Sequence, residues 1–228
     1  NASGAPSGGT YNWYTSGGTW LTQGSSYTTP SLTTSTDYKV QATSSVVNLA
    51  TTSAGGNGCV GGNMFDITTN TGDITIASFD VIPNITGAQN VNIYYKSGTY
   101  VGSETSSGSW TLLGTYPISG TTGVLLNVPV APLIIPGSST YGIYVNYDAQ
   151  YTTGAFTYSD VNMTIQTGAG LCGQFSGANT PRSFNGGVHY FLCSSAWDGA
   201  TASVTAYAEP TAPTSISGTS SICAGEST

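Results

Sequence analysis

The chain has 228 residues, of which 6% are charged, and three Lys or Arg stand against ten Asp or Glu for a formal net charge of −7. An ordinary soluble domain carries about 25% charged residues, so this surface must be built from uncharged polar groups. Three scattered cations, Lys39, Lys96 and Arg182, cannot make the basic footprint of a nucleic-acid or anionic-membrane binder, and no apolar run reaches the 18 residues of a membrane-spanning helix.

Thr, Tyr, Val and Ile favour strands, and Gly, Asn and Ser favour the turns between them. The 31 Gly and 15 Tyr therefore point to an all-β fold, and no window shows a helical apolar stripe. Asn1 stands in mid-pattern, which suggests a piece of a longer protein.

In chain order, "TYNWYTS" (10–16) and "TDYKVQAT" (36–43) alternate with period 2, as half-buried strands do. Gly17, Gly18, Gly24 and Pro30 punctuate the stretch between them. Trp13 and Tyr38 sit where a small immunoglobulin-like sandwich places its strand C tryptophan and its tyrosine corner, with Val40 replacing the usual Cys. Residues 1–58 are short for such a sandwich, for which about 100 residues is usual. A first strand supplied by a preceding segment would complete it.

From residue 59 to 208 the expected strands are 73–82, 90–96, 110–116, 123–130, 140–147, 161–167, 188–193 and 203–208. Their spacing predicts a larger, jelly-roll-like β-sandwich. "EPTAPT" (209–214) reads as a linker stiffened by Pro210 and Pro213. "SISGTSSICAGEST" (215–228) reads as the first strand of another small module. The whole is then one period of a tandem array, cut inside a module.

Cys59, Cys172, Cys193 and Cys223 form no Cys-x-x-Cys pair, and His189 is the lone histidine, so structural disulfides fit better than zinc. Cys172 and Cys193 flank "GQFSGANTPRSFNGG", which shows no strand pattern, and a bridge there would pin that loop. Cys59 and Cys223 are left as inter-module disulfide candidates, each pairing with a neighbouring module or, in an isolated piece, with one another.

No catalytic residues are expected. There is no nucleophile elbow, and His189 in "GVHYFLC" reads as a solvated or locally hydrogen-bonded residue. No metal or other cofactor is expected; the nearest approach to a calcium loop is the segment between Asp148 and Asp160. Sugar binding needs exposed aromatic faces, for which Tyr151, Phe156, Tyr158 and Trp197 beside Asp198 are the candidates.

Two stretches carry a family resemblance: "PTAPTSISGTSSICAGEST" with "YNWYTSGG…YTTPSLTTSTDYKVQATS", and "GGNMFDITTNTGDITIASFDV…NVNIYYKSGTYVGSETSSGSWTLLGTYPISG". Together they resemble the repetitive cell-surface adhesins of Bacteroidetes-type gliding bacteria, of which SprB-like gliding-motility adhesins are the best-known group. The resemblance implies type IX secretion, display outside the outer membrane, and a role in attachment and gliding. The expected function is a structural and adhesive repeat, not an enzyme. Its expected partners are neighbouring repeats of the same polypeptide and a surface polysaccharide, with no nucleic acid and no membrane insertion. The alternative is a carbohydrate-binding accessory module of a secreted enzyme.

Overall fold

A computed structural model describes residues 1–3, 5, 8–43, 45–51, 56–192 and 200–205. The strands are β1 (Tyr11–Thr15), β2 (Trp20–Gln23), β3 (Thr36–Ala42), β4 (Val47–Ala50), β5 (Asn57–Cys59) and β6 (Asn63–Thr69). Next come β7 (Ile74–Val81), β8 (Gly87–Ser97), β9 (Thr111–Gly120), β10 (Leu126–Ile135), β11 (Thr140–Asn146) and β12 (Ala149–Thr153). The last are β13 (Tyr158–Ser159), β14 (Met163–Ile165), β15 (Gly168–Gly173), β16 (Ser176–Phe184), β17 (Gly186–Phe191) and β18 (Ala200–Val204). One 3-10 turn, Ser107–Ser109, is the helical element among the described residues. The chain is all-β, as its composition requires.

Two sheets face each other to form the larger sandwich. One has the order β10-β7-β17-β4. The other runs β5-β12-β16-β15-β6-β11-β8-β9, with β14 also on β6 and β13 beyond it. Strand β6 gives one edge to β11 and divides the other between β15, at Asn63 and Met64, and β14, at Ile67 to Thr69. The apolar positions of both inner faces meet in one core, where Phe65 stacks on Phe184 with ring centroids 4.8 Å apart. Around that pair lie Ile67, Ile76, Phe79, Ile143 and Tyr190, all shielded from water.

Strands β6 and β7 are buried along nearly their whole length. For β6 the reason is packing on both faces: Phe65 and Ile67 enter the main core, while Met64 enters a second cluster on the outer side. A strand covered on both faces loses the alternation by which strands are recognised, so "NMFDITT" gives a weak sequence signal.

The small sheet has the order β18-β3-β1-β2. Trp13 and Tyr38 are buried as expected, and the Trp13 indole donates to the Gly24 carbonyl at 2.9 Å. The boundary expected at residue 58 is corrected here. Strand β4 pairs with β17 and places Leu49 in the main core, and β5 pairs with β12. Conversely, β18, expected in the larger sandwich, pairs with β3 from Ala200↔Val40 to Val204↔Thr36. The larger sandwich is thus inserted between neighbouring strands of the small sheet. Sequence order misled because sheet membership is set by which edge a strand completes. The linker expected at 209–214 and the strand expected at 215–228 lie outside the described residues.

Truncating Phe65 would leave a cavity beside Phe184 that a rigid two-sheet core closes poorly. Phe65→Ala is expected to cost about 3–5 kcal/mol in urea unfolding, and a loss under about 1 kcal/mol would contradict this core.

Candidate functional site

Three features of the larger sandwich stand out: a disulfide, an aromatic cap on its outer face, and the loops at its ends. The disulfide joins Cys59 to Cys172, with Cα atoms 4.8 Å apart. Backbone bonds bring the two segments together: Gly61 N–H donates to the Leu171 carbonyl at 2.9 Å, and Leu171 N–H to the Gly62 carbonyl at 2.8 Å. Gly62 has φ +73°, and a Cβ there would stand 2.0 Å from the Val145 carbonyl oxygen, so only glycine fits.

The expected Cys172–Cys193 bridge is therefore corrected, since Cys172 is taken by a cysteine 113 positions earlier. Cys59 is likewise not an inter-module cysteine. Cys193 and Cys223 lie outside the described residues. The segment that the bridge was expected to pin is strand β16, held by the ladder it forms with β15 and β12. Its residues 176–181 are exposed, so no alternating pattern betrays them.

On the outer face of the larger sheet, Tyr144 lies against Tyr94, Trp110 and Phe175 at 5.6, 5.9 and 5.1 Å between centroids. The Tyr144 hydroxyl donates to the Gly61 carbonyl at 2.7 Å and accepts from Asn146 Nδ2 at 3.0 Å. Burial raises the Tyr144 pKa well beyond the ordinary phenol value. Trp110 arrives on the loop 98–110, whose indole N–H donates to the Ser103 carbonyl at 2.9 Å. Phe175 arrives on the β15–β16 turn with φ +55°, an uncommon conformation for a bulky residue.

Asp66 anchors the loop. Its Oδ1 accepts the Tyr100 N–H at 2.8 Å, and its Oδ2 accepts the Thr99 hydroxyl at 2.6 Å. Lys96 Nζ donates to the Thr99 carbonyl. Burial pushes the Asp66 carboxyl above its ordinary value, against the opposing pull of the Thr99 and Tyr100 hydrogen bonds and the Lys96 charge. Sequence reading missed this assembly. Asp66 and the aromatics are far apart in the chain, and an outward-facing aromatic on a strand carries no mark of the loop that covers it.

Among the described residues, the sugar-binding candidates Tyr151, Phe156 and Tyr158 do not form one exposed platform. Tyr151 is buried, with the Arg182 guanidinium 5.6 Å from its ring centroid, which corrects its expected exposure. Tyr158 is half-buried against the main core, and Phe156 is exposed. Trp197 and Asp198 lie outside the described residues.

Asp148 and Asp160 serve local structure. Asp148 Oδ1 accepts from Asn84 Nδ2 at 3.1 Å. Asp160 Oδ1 accepts the N–H groups of Asn162 and Met163, and its Oδ2 accepts the Tyr190 hydroxyl at 2.6 Å. Among the described residues no three His, Cys, Asp or Glu side chains gather as a metal site would need.

His189 Nε2 lies 2.8 Å from Asp80 Oδ2, and Asn127 Nδ2 donates to Asp80 Oδ1 at 2.8 Å. Ser78, cross-strand from His189, accepts from the same Asn127 amide at 3.0 Å. The arrangement ties together three neighbouring strands, β17, β7 and β10.

Residues 1–55 match a family of Ig-like domains described as CHU_C associated. No curated protein and no solved structure matches the chain. No helix among the described residues is long and apolar enough to cross a membrane, which says nothing of strands.

Non-reducing peptide mapping should recover a Cys59–Cys172 peptide. Because the bridge closes a long loop, Cys59→Ser is expected to cost roughly 3–5 kcal/mol; an unchanged urea midpoint would refute a structural role. For Asp66, the raised folded pKa fixes the sign of the pH effect. Its contribution is complete below the unfolded pKa and is lost as pH rises through the folded one. The stability of the wild type minus that of Asp66→Asn should therefore fall as pH rises from about 3 to 7. Urea melts across that range would show a flat difference if Asp66 were unperturbed.

Proposed function

We propose that the chain is a structural and adhesive unit of a long, secreted, Bacteroidetes-type cell-surface protein, acting in attachment and gliding and exported by the type IX system. The observation that carries the scaffold reading is the path of the chain. It leaves the small sheet after β3, builds the whole larger sandwich, and returns as β18 beside β3. The match of residues 1–55 to CHU_C-associated Ig-like domains supports the surface setting.

Such a unit keeps its ends together on the small sheet and projects the larger sandwich from it. Rigid sandwiches carry recognition on their loops, so a surface polysaccharide would meet the loops of the larger sandwich. The low charge suits this setting, because neutral Ser, Thr and Asn surfaces change little with salt. The second reading, a carbohydrate-binding accessory module, keeps the exposed ring of Phe156 but loses that of Tyr151.

Beads coated with the chain should adhere to a polysaccharide-bearing surface, and the chain should hydrolyse no glycoside or ester substrate. Replacing His189 by Ala removes one partner of Asp80 and is expected to cost about 1–3 kcal/mol of stability while leaving adhesion unchanged. A hydrolytic activity abolished by His189→Ala at a temperature where the variant is folded would overturn the non-enzymatic reading. Tight binding of one glycan on an array, with no bead adhesion, would favour the accessory-module reading.

A further inference from the structure

We propose that the small sheet is a force-bearing clamp, in which strands β1, β3 and β18 take tension along the polypeptide in shear and keep it out of the larger sandwich. The register carries the argument. Strand β1 pairs antiparallel with β3 from Tyr11↔Ala42 to Thr15↔Tyr38. Strand β18 pairs antiparallel with the other edge of β3, from Ala200↔Val40 to Val204↔Thr36. The two flanking strands therefore run parallel to each other, and both grip β3 over Tyr38 to Val40.

The chain enters β1 at Tyr11, opposite Ala42, and leaves β18 at Val204, opposite Thr36. These points lie at the two ends of β3, about 20 Å apart along its axis. Tension on the chain pulls β1 and β18 in opposite directions along that axis. Antiparallel ladder bonds lie across the strands, so this pull loads all of them together and not one pair at a time. Further bonds reinforce the entry. Thr43 N–H donates to the Thr10 carbonyl at 2.8 Å, and Thr10 N–H to the Thr43 hydroxyl at 3.1 Å. On the other edge of β1, Gly24 N–H donates to the Tyr11 carbonyl at 2.9 Å. The buried side chains of Trp13 and Tyr38 lie over the ladder and keep water from competing for stretched bonds.

The same register decides what is spared. The Val40↔Ala200 pair closes the neck of the insertion. The described strands between Ala42 and Ala200, with the Phe65–Phe184 stack and the Cys59–Cys172 bridge, hang from that neck as a side branch. While the ladders hold, tension passes from β1 through β3 to β18 and the larger sandwich stays unloaded. The inference rests on the scaffold reading only for the source of the tension. Its test reads rupture of the chain alone and not adhesion, so either can fail without the other.

The test stretches single full-length chains in two geometries. Cys193→Ser and Cys223→Ser are made in both, so that an added Thr34→Cys is a unique attachment point. With handles at Asn1 and Thr228, tension shears both ladders. With handles at Thr34→Cys and Thr228, tension acts at the Thr36–Val204 end alone and unzips β18 from β3. At one loading rate the first geometry should need about twice the rupture force of the second, or more. Reduction of the Cys59–Cys172 bridge, whose cysteines are 113 positions apart, should add roughly 40 nm to the total extension and leave the force of the first rupture unchanged. Equal forces in the two geometries would overturn the proposal. So would a first rupture that weakens on reduction, because the larger sandwich would then lie in the path of the load.

Discussion

Everything else in this molecule leans on the contact between the two inner faces of the larger sandwich, centred on the Phe65–Phe184 stack. With 6% charged residues, the chain draws little on ion pairs, and burial of apolar area supplies the drive to fold. The consequence reaches outward. Strand β6, which carries Phe65, is held on its outer side by Met64 in the second cluster. The Asp66-anchored loop and the β15–β16 turn close over that cluster from opposite directions. One strand therefore couples the main core to the surface cap, and the disulfide fixes the turn end of the cap to the entry of the same strand.

A β protein with so few charged residues also faces a problem at its sheet edges. Lysine on an edge strand is a common deterrent to unwanted pairing, and this chain has two lysines. It uses other means. Pro117 stands on the edge strand β9, and Pro129 and Pro132 on the edge strand β10, each removing a ladder donor. Edge strand β4 has four residues and β13 two, and β5 is three residues long and cross-linked.

The carboxylates that might have acted in chemistry are spent on structure: Asp66 on the loop, Asp160 on a turn and the Tyr190 hydroxyl, Asp80 on His189 and Asn127. Each is an acceptor for donors that irregular backbone or a strand surface would otherwise leave unpaired.

The all-β class, the strands around Trp13, Tyr38, Phe79 and Ile143, and the shortage of reactive groups were legible in the sequence, because period-2 alternation and turn residues are local properties. Strand β6 was not, since burial on both faces erases alternation; β16 was not, since its first six residues are all exposed and show no apolar pattern. The partner of Cys172, the membership of β4 and β18, and the cap built by Asp66, Trp110 and Phe175 were decided by tertiary structure alone. Each depends on which distant edge or face a segment meets, and sequence separation does not encode that when the pairing residues are small, polar and repeated along the whole chain.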